Sequence, residues 1–361
     1  LNTLIGGLAG DALTSGNSNV ALGYVALSTD TLGDRAVALG YGALNQQNFA
    51  TTTDNYNIGV GYSAGLSITT GVENTLLGAN SGDALTDTDG NVAVGAYALS
   101  TDTLGARAVA VGHSALLTQN FATATNNYNV GVGHQAGRAV TTGSLNTLVG
   151  GLAGLALTSG NNNTALGYAA LSTDTLGDRN VAVGIQALGA QNFTTSTDSY
   201  NTAVGFTAGA SITTGTFNTL IGGLAGDAIT TGGDNVALGY LAVSGLTEGD
   251  RNIGIGTGAI DADTKGNFSI GIGYAALTTQ NFSTATDVYN TAVGYSAGAL
   301  ITTGLKNTLI GGLAGDAITD ADNNVAVGML AMSNNQLGSN SVAVGSDALL
   351  DQNPATATDM Y

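Results

Sequence analysis

Residues 19–27 read NVALGYVAL, and close copies of this stretch recur along the whole chain, for example NVAVGAYAL at residues 91–99. If the first residue of each copy is called position 0, twenty copies follow one another, and each starts either 17 or 21 positions after the one before. They begin at residues 2, 19, 36, 57, 74, 91, 108, 129, 146, 163, 180, 201, 218, 235, 252, 269, 290, 307, 324 and 341. Such regularity predicts a repeat fold in which each copy forms one structural unit, called a coil below.

Four positions of the coil are nearly constant. Position 0 is Asn in sixteen coils, position +3 is always Ile, Leu or Val, position +4 is always Gly, and position +7 is almost always Ala. The exceptions are Ala36, Ala108, Ser269 and Ser341 at position 0 and Ser81 at position +7.

The coils are grouped into a longer repeat. The segment NTLIGGLAG and its near-copies begin at residues 2, 74, 146, 218 and 307, so the step is 72 except for the last, which is 89, or 72 plus 17. We assign this excess to an additional coil at Ser269. The prediction is one domain, residues 1–361, formed by a continuous array of 72-residue super-repeats. Because neither end departs from the pattern, we expect the array to be uncapped at both ends.

The composition excludes several classes of protein. The chain has 361 residues with 56 Gly, 1 Pro and no Cys, and its 43% of apolar residues is too high for a disordered tract. A net charge of -18 repels phosphate, so we expect no nucleic-acid partner. Without Cys there is no disulfide framework and no thiolate metal site. No run approaches the roughly 18 apolar residues of a membrane span, so no membrane insertion is expected within this segment.

The repeat length and the residue types favour β-structure. A period of 17 is too short for a helical-hairpin repeat, which needs about 33 residues or more. Runs such as NVALG are rich in strand-forming residues and end at a Gly, which we attribute to positive φ or to close approach of a neighbouring coil. A second short strand is expected to carry the Ala at +7. The prediction is an all-β parallel β-solenoid (β-roll) of about twenty 17- or 21-residue coils, with like residues in columns and an amide ladder at position 0.

The strand at +1 to +3 is usually apolar throughout, as in Val20, Ala21 and Leu22. Alternate residues of a strand face opposite sides, and a strand that is apolar on both sides is covered on both. We expect one face to fill the interior and the other to contact a second protomer. A wider single-chain solenoid that covers both faces itself is the alternative.

The longer coils carry inserts of one type, which are expected to bulge at one edge. The inserts are QNFATTTDNY at 47–56, QNFATATNNY at 119–128, QNFTTSTDSY at 191–200, QNFSTATDVY at 280–289 and QNPATATDMY at 352–361. We favour a packing loop whose Phe lies against the solenoid, with a binding face as the alternative.

No enzyme chemistry is predicted. His113 and His134 occupy position +5, where other coils carry Tyr, so we interpret them as surface variants of an aromatic column. The carboxylate pair of Asp30 with Asp34, like that of Asp174 with Asp178, lies in a polar segment, and we interpret both pairs as solvated turns rather than as glycosidase acids. The prediction is no catalytic residue, no cofactor and no metal site.

Charged residues form two recurring patterns, acidic turns and a column of arginines. Acidic turns at residues 87–91, 261–267 and 320–322 resemble calcium loops but lack the EF-hand spacing. An arginine stands just before position 0 once per super-repeat, and two interpretations stay open, namely interchain salt bridges or a rim charge worth little. These arginines are Arg35, Arg107, Arg179 and Arg251.

The repeat resembles the head repeats of YadA-like trimeric autotransporter adhesins and the NTAVGYQAL-type repeats of phage tail-fibre proteins. The matching segments are Asn19–Gly23, Asn91–Gly95, Asn201–Gly205 and Ser341–Gly345. The resemblance covers the whole chain and implies a left-handed β-roll of three chains side by side, exported and used for attachment. The coils here are longer than those of YadA-type heads, which leaves adhesin and phage fibre both open.

We therefore expect an extracellular fibrous attachment protein, either a phage tail fibre or a bacterial trimeric surface adhesin. Its expected partners are two further copies of itself and a host-cell surface or glycan receptor. The alternative is a purely structural filament or spacer without its own receptor site.

Overall fold

The structure is a computed structural model that describes residues 1–360. Within that range the regular structure is entirely β, with no helix. As far as residue 178 the strands are β1 Thr3–Ile5, β2 Val20–Leu22, β3 Gly33–Asp34, β4 Val37–Leu39, β5 Thr53–Asp54, β6 Ile58–Val60, β7 Thr75–Leu77, β8 Val92–Val94, β9 Gly105–Ala106, β10 Val109–Val111, β11 Thr125–Asn126, β12 Val130–Val132, β13 Thr147–Val149, β14 Thr164–Leu166 and β15 Gly177–Asp178. Beyond it they are β16 Val181–Val183, β17 Thr197–Asp198, β18 Thr202–Val204, β19 Thr219–Ile221, β20 Val236–Leu238, β21 Ile253–Ile255, β22 Gly266–Asn267, β23 Ile270–Ile272, β24 Thr286–Asp287, β25 Thr291–Val293, β26 Thr308–Ile310, β27 Val325–Val327, β28 Gly338–Ser339, β29 Val342–Val344 and β30 Thr358–Asp359.

The chain forms two compact units. One consists of Leu1–Arg179 with Thr194–Thr197, and the other of Asn180–Phe193 with the residues from Asp198 onward. Each is described by itself below, and the single continuous array inferred from the sequence stays a prediction.

In each unit the three-residue strands pair in parallel and in register with the strand one coil further along the chain. Thr3 pairs with Val20 and Val20 pairs with Val37, so each short coil advances the pairing by 17 positions. A long coil lengthens the step to 21, as between Val37 and Ile58. The same pairing joins the strands of the second unit. The prediction of an all-β parallel β-solenoid is confirmed, and the strand of each coil occupies positions +1 to +3.

The assignment of the additional coil to Ser269 is wrong. Ile270 pairs with Thr291, so the coil that begins at Ser269 is one of the long coils. The interior identifies the additional coil as the one that begins at residue 235, because three successive coils there carry an apolar residue at +11, namely Ile212, Ile229 and Leu246, where the other super-repeat boundaries have two.

The expected second strand is also wrong, because the Ala at +7 lies in a turn. The residues on either side of it have left-handed backbone, with φ of 53° at Val25 and 52° at Leu27. Alternating positive φ is incompatible with a strand, yet the segment still bonds coil to coil. The amide of Leu27 donates to the carbonyl of Ala43 at 3.0 Å, and that of Val25 to Gly7 at 3.0 Å. Residue types do not predict this, since neither Val nor Leu favours the left-handed region.

Both explanations inferred for the glycine at +4, positive φ and close approach of the neighbouring coil, are confirmed. Its φ lies between +125° and +146° in every coil. At Gly311, φ is +140° and a Cβ would come within 2.6 Å of the carbonyl carbon of Gly328 in the next coil. Only a residue without a side chain allows this backbone and this approach together.

The interior is filled by complementary side chains at positions +2 and +8. Where +8 is Gly82, the large side chain comes from +2, because a Cβ on Gly82 would lie 2.8 Å from Leu76. Where +2 is Ala21, the large side chain is Leu27 at +8, and both are fully buried. Most layers therefore receive one large apolar side chain from this pair of positions. Where both are small, the apolar residue at +11 is buried instead, as Ile68 is in a coil with glycine at both positions, and the narrow core stays close-packed.

The asparagine at position 0 links each coil to the next. Asn74 is fully buried, its Oδ1 accepts a hydrogen bond from the amide of Asn91 at 3.0 Å, and its Nδ2 donates to the carbonyl of Thr88 at 2.7 Å. The column was predicted, but its main bonds run from side chain to backbone rather than from amide to amide. Each such bond is worth about 1 kcal/mol, and a buried partner left unpaired costs more.

All four coils that lack this asparagine are long coils, in which the four-residue insert changes the path to the next coil. After Ala36, the amide of Asn57 donates instead to Oδ1 of Asn55 at 2.9 Å. The long coil that keeps Asn180 has Ser199 in the place of Asn55, and Asn180 Oδ1 accepts from both Ser199 Oγ at 2.8 Å and the amide of Asn201 at 3.2 Å. The acceptor lost at Ala36 is thus replaced by Asn55. The one lost at Ala108 is replaced by Asn127, which accepts from the amide of Asn129 at 2.9 Å.

Replacing Gly311 by Ala should destabilise the chain by about 1–3 kcal/mol, because the new Cβ meets Gly328 and the backbone is held at positive φ. The adjacent Gly312→Ala is the matched control. Nothing lies within 4 Å of its Cβ position, so its effect should stay within about 0.5 kcal/mol. Denaturant unfolding measures both, and equal effects would contradict the stacked-glycine geometry.

The change Asn55→Ser should cost about 1–3 kcal/mol, because the buried amide of Asn57 loses its acceptor. Adding Ala36→Asn should restore most of that loss, since the pair then matches Asn180 with Ser199. A double-mutant cycle on the free energy of unfolding measures the rescue, and simple additivity of the two changes would rule out the compensation.

Candidate functional site

The carboxylates interpreted as solvated turns are not solvated. Asp30 and Asp174 are fully buried, and Asp178 is 8% exposed, while Asp34 is half-buried. That interpretation was wrong because position +11, which Asp30 and Asp174 occupy, points into the interior. A buried carboxylate whose oxygens are already bonded cannot act on a glycosidic bond.

Three of the aspartates at +11, Asp30, Asp102 and Asp263, each belong to a polar chain of bonds across three coils. Asp30 Oδ1 accepts from the amide of Gly33 at 3.0 Å, and Oδ2 accepts from Nε2 of Gln47 at 2.6 Å. Gln47 Oε1 in turn accepts from Nδ2 of Asn57 at 2.9 Å. Full hydrogen bonding makes the burial tolerable. The same three bonds recur one super-repeat later in the cluster of Asp102, Gly105, Gln119 and Asn129.

The sequence analysis missed the glutamines. Gln47, Gln119, Gln191 and Gln280 are fully buried. Their signal was that two adjacent coils carry Asp, or Asn in the case of Asn335, and then Gln at the same position +11, where the remaining coils carry Leu, Ile or Val.

Burial changes the acidity of some of these groups. Asp263 is fully buried, and burial raises its pKa above the ordinary value near 3.8. Hydrogen bonds from Gln280 and from the amides of Phe282 and Gly266 oppose that rise without cancelling it. Burial also raises the pKa of Asp83 and Asp227, which are only partly enclosed.

The two histidines lie in the exposed aromatic column at +5, as the sequence suggested. The rings of His113 and His134 stack with centroids 5.6 Å apart and planes 13° from parallel. Tyr24, Tyr41 and Tyr62 form the same kind of stack, with centroid separations of 5.6 Å and 5.2 Å. This column presents a row of ring edges and hydroxyl groups to solvent.

An apolar column runs beside it. Leu22, Leu77 and Leu166 at position +3 are 45–46% exposed, whereas the +2 residues of the same strands are fully buried. Each unit therefore carries an outward face on which half-exposed aliphatic side chains adjoin the aromatic column. Contiguous apolar surface of this kind marks interaction sites.

The arginines make contacts within the chain that neither sequence interpretation anticipated. Arg35 Nη1 donates to the hydroxyl of Tyr56 at 2.8 Å, forms an ion pair with Asp54, and lies 5.5 Å from the centre of the Tyr56 ring. Arg107 stands over Tyr128 at 5.8 Å in the same way. Because these groups are about half exposed, each pair contributes modestly to stability.

The inserts of the long coils pack against the solenoid, as the favoured interpretation predicted. Phe49, Phe121, Phe193 and Phe282 are 5–7% exposed. The Thr residues that follow them, such as Thr51 and Thr123, are exposed. The tyrosine that ends each of these four inserts is exposed as well, at 51% for Tyr56 and 48% for Tyr128.

The acidic turns bond to backbone of the preceding coil. Asp89 Oδ1 accepts from the amide of Val72 at 2.9 Å, and Asp322 Oδ1 from that of Leu305 at 2.7 Å. Over residues 1–360 no three His, Cys, Asp or Glu side chains converge as metal ligands would.

No family model matches the sequence, and the search of curated proteins gives no match. None of the secondary structure in residues 1–360 is a helix of the length and apolar character that crossing a membrane requires.

Lowering the pH from 7 towards 4 should raise the melting temperature. The folded carboxyls of Asp83, Asp227 and Asp263 have a raised pKa, so they take up protons before those of the unfolded chain. Their contribution to stability is fully present below pH 3.8, the ordinary pKa of an unfolded Asp, and is lost as the pH rises through the higher pKa of the folded state. Thermal melting against pH measures it.

The variant Asp263→Asn is the control for this pH dependence. Asn335 already occupies the equivalent position and accepts from the amide of Gly338 at 2.8 Å, so the fold tolerates the amide there. The slope of stability against pH should be shallower in the variant. An unchanged slope would exclude Asp263 as a contributor.

Proposed function

We propose that this chain is a segment of an extracellular attachment fibre, of a phage tail or of a bacterial surface adhesin, that binds a host cell or another surface. The observation that carries the proposal is the outward face on which the stacked rings of Tyr24, Tyr41 and Tyr62 adjoin half-exposed aliphatic residues. A repetitive scaffold of this kind presents many equivalent contacts, which favours avidity over single-site affinity.

The aliphatic part of that face supports assembly into a trimer. Covering a half-exposed leucine such as Leu77 removes apolar surface from water and contributes roughly 1 kcal/mol per side chain. Repetition of the same contact in successive coils would make three chains side by side far more stable than one. The resemblance to trimeric adhesin heads and phage fibres points to the same assembly.

The aromatic part supports a receptor contact. Tyrosine edges and hydroxyl groups are suited to sugars or to polar protein surfaces, because each ring combines an apolar body with a hydrogen-bonding tip. We place the receptor among host-cell surface groups, with a glycan as one candidate.

A structural filament or spacer without its own receptor site is the second candidate. The burial of Phe49 and its counterparts favours it, since these rings pack inward and are not available to a receptor. The two functions differ in whether the array itself contacts a surface.

The chain displayed on fluorescent beads should bind some members of a panel of bacterial cells, animal cells and immobilised glycans. Deleting residues 74–145 joins Glu73 to Asn146 and keeps the coil pattern, because Asn74 and Asn146 are equivalent. An adhesive array should then bind about tenfold more weakly, since one set of contacts is lost. A folded parent chain that binds no surface would support the spacer instead.

Deletion of residues 146–217 is the matched control, because it removes a different super-repeat of equal length. Equal weakening by both deletions indicates contacts distributed along the array, whereas loss with only one deletion indicates a local receptor site. Each preparation should sediment at three times its chain mass, which is 35.4 kDa for the parent, and a monomeric parent would contradict the trimer.

A further inference from the structure

The repeat poses a folding problem that its shared positions do not solve. Asn at 0, an aliphatic residue at +3, Gly at +4 and Ala at +7 recur in nearly every coil. Backbone ladders, the asparagine bonds and the stacked glycines would therefore form almost as well if a coil skipped its neighbour and stacked on the next. A chain with one coil looped out loses that coil's own bonds and buried groups, but closing the loop adds little further cost, because loop-closure entropy grows slowly with loop length.

Position +11 is where adjacent coils differ in the interior. In the first super-repeat the second coil has Asp30, the third has Gln47 and the fourth has Ile68, all fully buried. The same order of Asp, Gln and an apolar residue occurs in the next three super-repeats, and the last has Asn335 in place of Asp. Position +11 thus distinguishes the Asp coil and the Gln coil from each other and from the apolar coils of the cycle.

The bonds at this position form only in the native order. Gln47 donates to Asp30 in the coil before it and accepts from Asn57 in the coil after it, at 2.6 Å and 2.9 Å. If the long coil of Gln47 were looped out, Asp30 would face Ile68. A buried carboxylate would then lose a donor and gain an apolar neighbour.

We propose that the buried Asp30–Gln47 pair, and its counterparts in later super-repeats, set the stacking register of the solenoid by excluding arrangements in which the long coil is skipped. The pair has no role in the surface chemistry described above. Its contribution to net stability is small, because a hydrogen-bonded polar pair in an interior gains little over apolar residues of similar size. Its effect is to widen the free-energy difference between the native stack and stacks in which a coil is skipped. Single polar residues fix the register of coiled coils in the same way.

The chain itself shows that an apolar residue fits at +11 in such a coil. The coil that begins at Asn235 has Ala237 at +2, Val243 at +8 and Leu246 at +11, all fully buried. Asp30→Leu would create nearly the same arrangement beside Ala21 and Leu27, with Leu27 slightly larger than Val243. The substituted coil can therefore be expected to fold.

The test compares the chain with the variant Asp30→Leu, Gln47→Leu after refolding from denaturant. Because the sequence has no cysteine, two reporter pairs can be introduced cleanly, Tyr24→Cys with Tyr41→Cys and Tyr24→Cys with Tyr62→Cys. Tyr24 and Tyr41 lie in adjacent coils with ring centroids 5.6 Å apart, within reach of a disulfide after substitution. Residues 24 and 62 lie two coils apart, about 9.6 Å, which a disulfide cannot span.

In the chain with the native pair, oxidation should cross-link only positions 24 and 41 within one monomer, as judged by non-reducing electrophoresis. In the Leu variant the yield of the 24–62 cross-link relative to the 24–41 cross-link should rise about tenfold or more, since the penalty on the slipped state is gone. The matched control Asp102→Leu, Gln119→Leu removes the equivalent pair of the next super-repeat. It should leave the yields of the 24–41 and 24–62 cross-links unchanged.

Three results would overturn the proposal. They are an unchanged ratio of cross-links in the Leu variant, an equal rise in the distant control, and failure of the Leu variant to regain β-structure by circular dichroism. The last would mean that the pair is needed for stability rather than for register.

Discussion

The buried asparagine at the start of a coil bonds to two backbone groups of the next coil, an amide at position 0 and a carbonyl three residues earlier. Asn74 does so with Asn91 and Thr88. Neither backbone group is accessible to water, so both depend on this side chain. The two-point contact fixes the turn before each strand. In long coils the insert changes that turn, which explains why Ala36, rather than an asparagine, is acceptable there once Asn55 supplies the missing acceptor.

The bonding of the asparagine at position 0 limits which side chains of a coil can face solvent. Position +2 fills the interior, and position 0 is occupied with backbone bonding, so the outward columns are formed by other positions, among them +3 and +5. There the coils carry aliphatic and aromatic residues, such as Leu77 and Tyr62, at 46% and 57% exposure. A fold that uses its polar side chains internally is left with an apolar exterior face, and association with other molecules is the natural use of that face.

Much of the fold could be predicted from the sequence because the constant residues have simple physical roles. The glycine at +4 and the asparagine at 0 are each explained by one conformational or bonding requirement, and both columns were found where expected. The segment around Ala26 was not predicted, because left-handed Val25 and Leu27 result from coil-to-coil bonding that overrides their local preferences.

The interior polar groups were mispredicted for a different reason. The segment around Asp30 has the composition of a solvated turn, with Ser, Thr, Asp and Gly, and composition alone cannot show which side chain points inward. Comparison of adjacent coils at position +11 would have shown Asp30 followed by Gln47, a pairing that makes sense only in an interior. The aromatic column at +5 was predicted from the sequence. The stacking of Arg35 on Tyr56 was not, because it depends on side-chain positions that the repeat spacing does not determine.

One to three residues other than glycine adopt positive φ in every coil, among them Leu8, Tyr97 and Leu313. Each costs of order 1 kcal/mol in an isolated chain, so a lone coil has little tendency to hold its shape. A coil already in place offers the amides and carbonyls that select this conformation in its successor. Growth should therefore proceed by templating from an existing edge, one layer at a time. Such a chain can acquire its structure progressively as it emerges into its surroundings, without first collapsing as a whole.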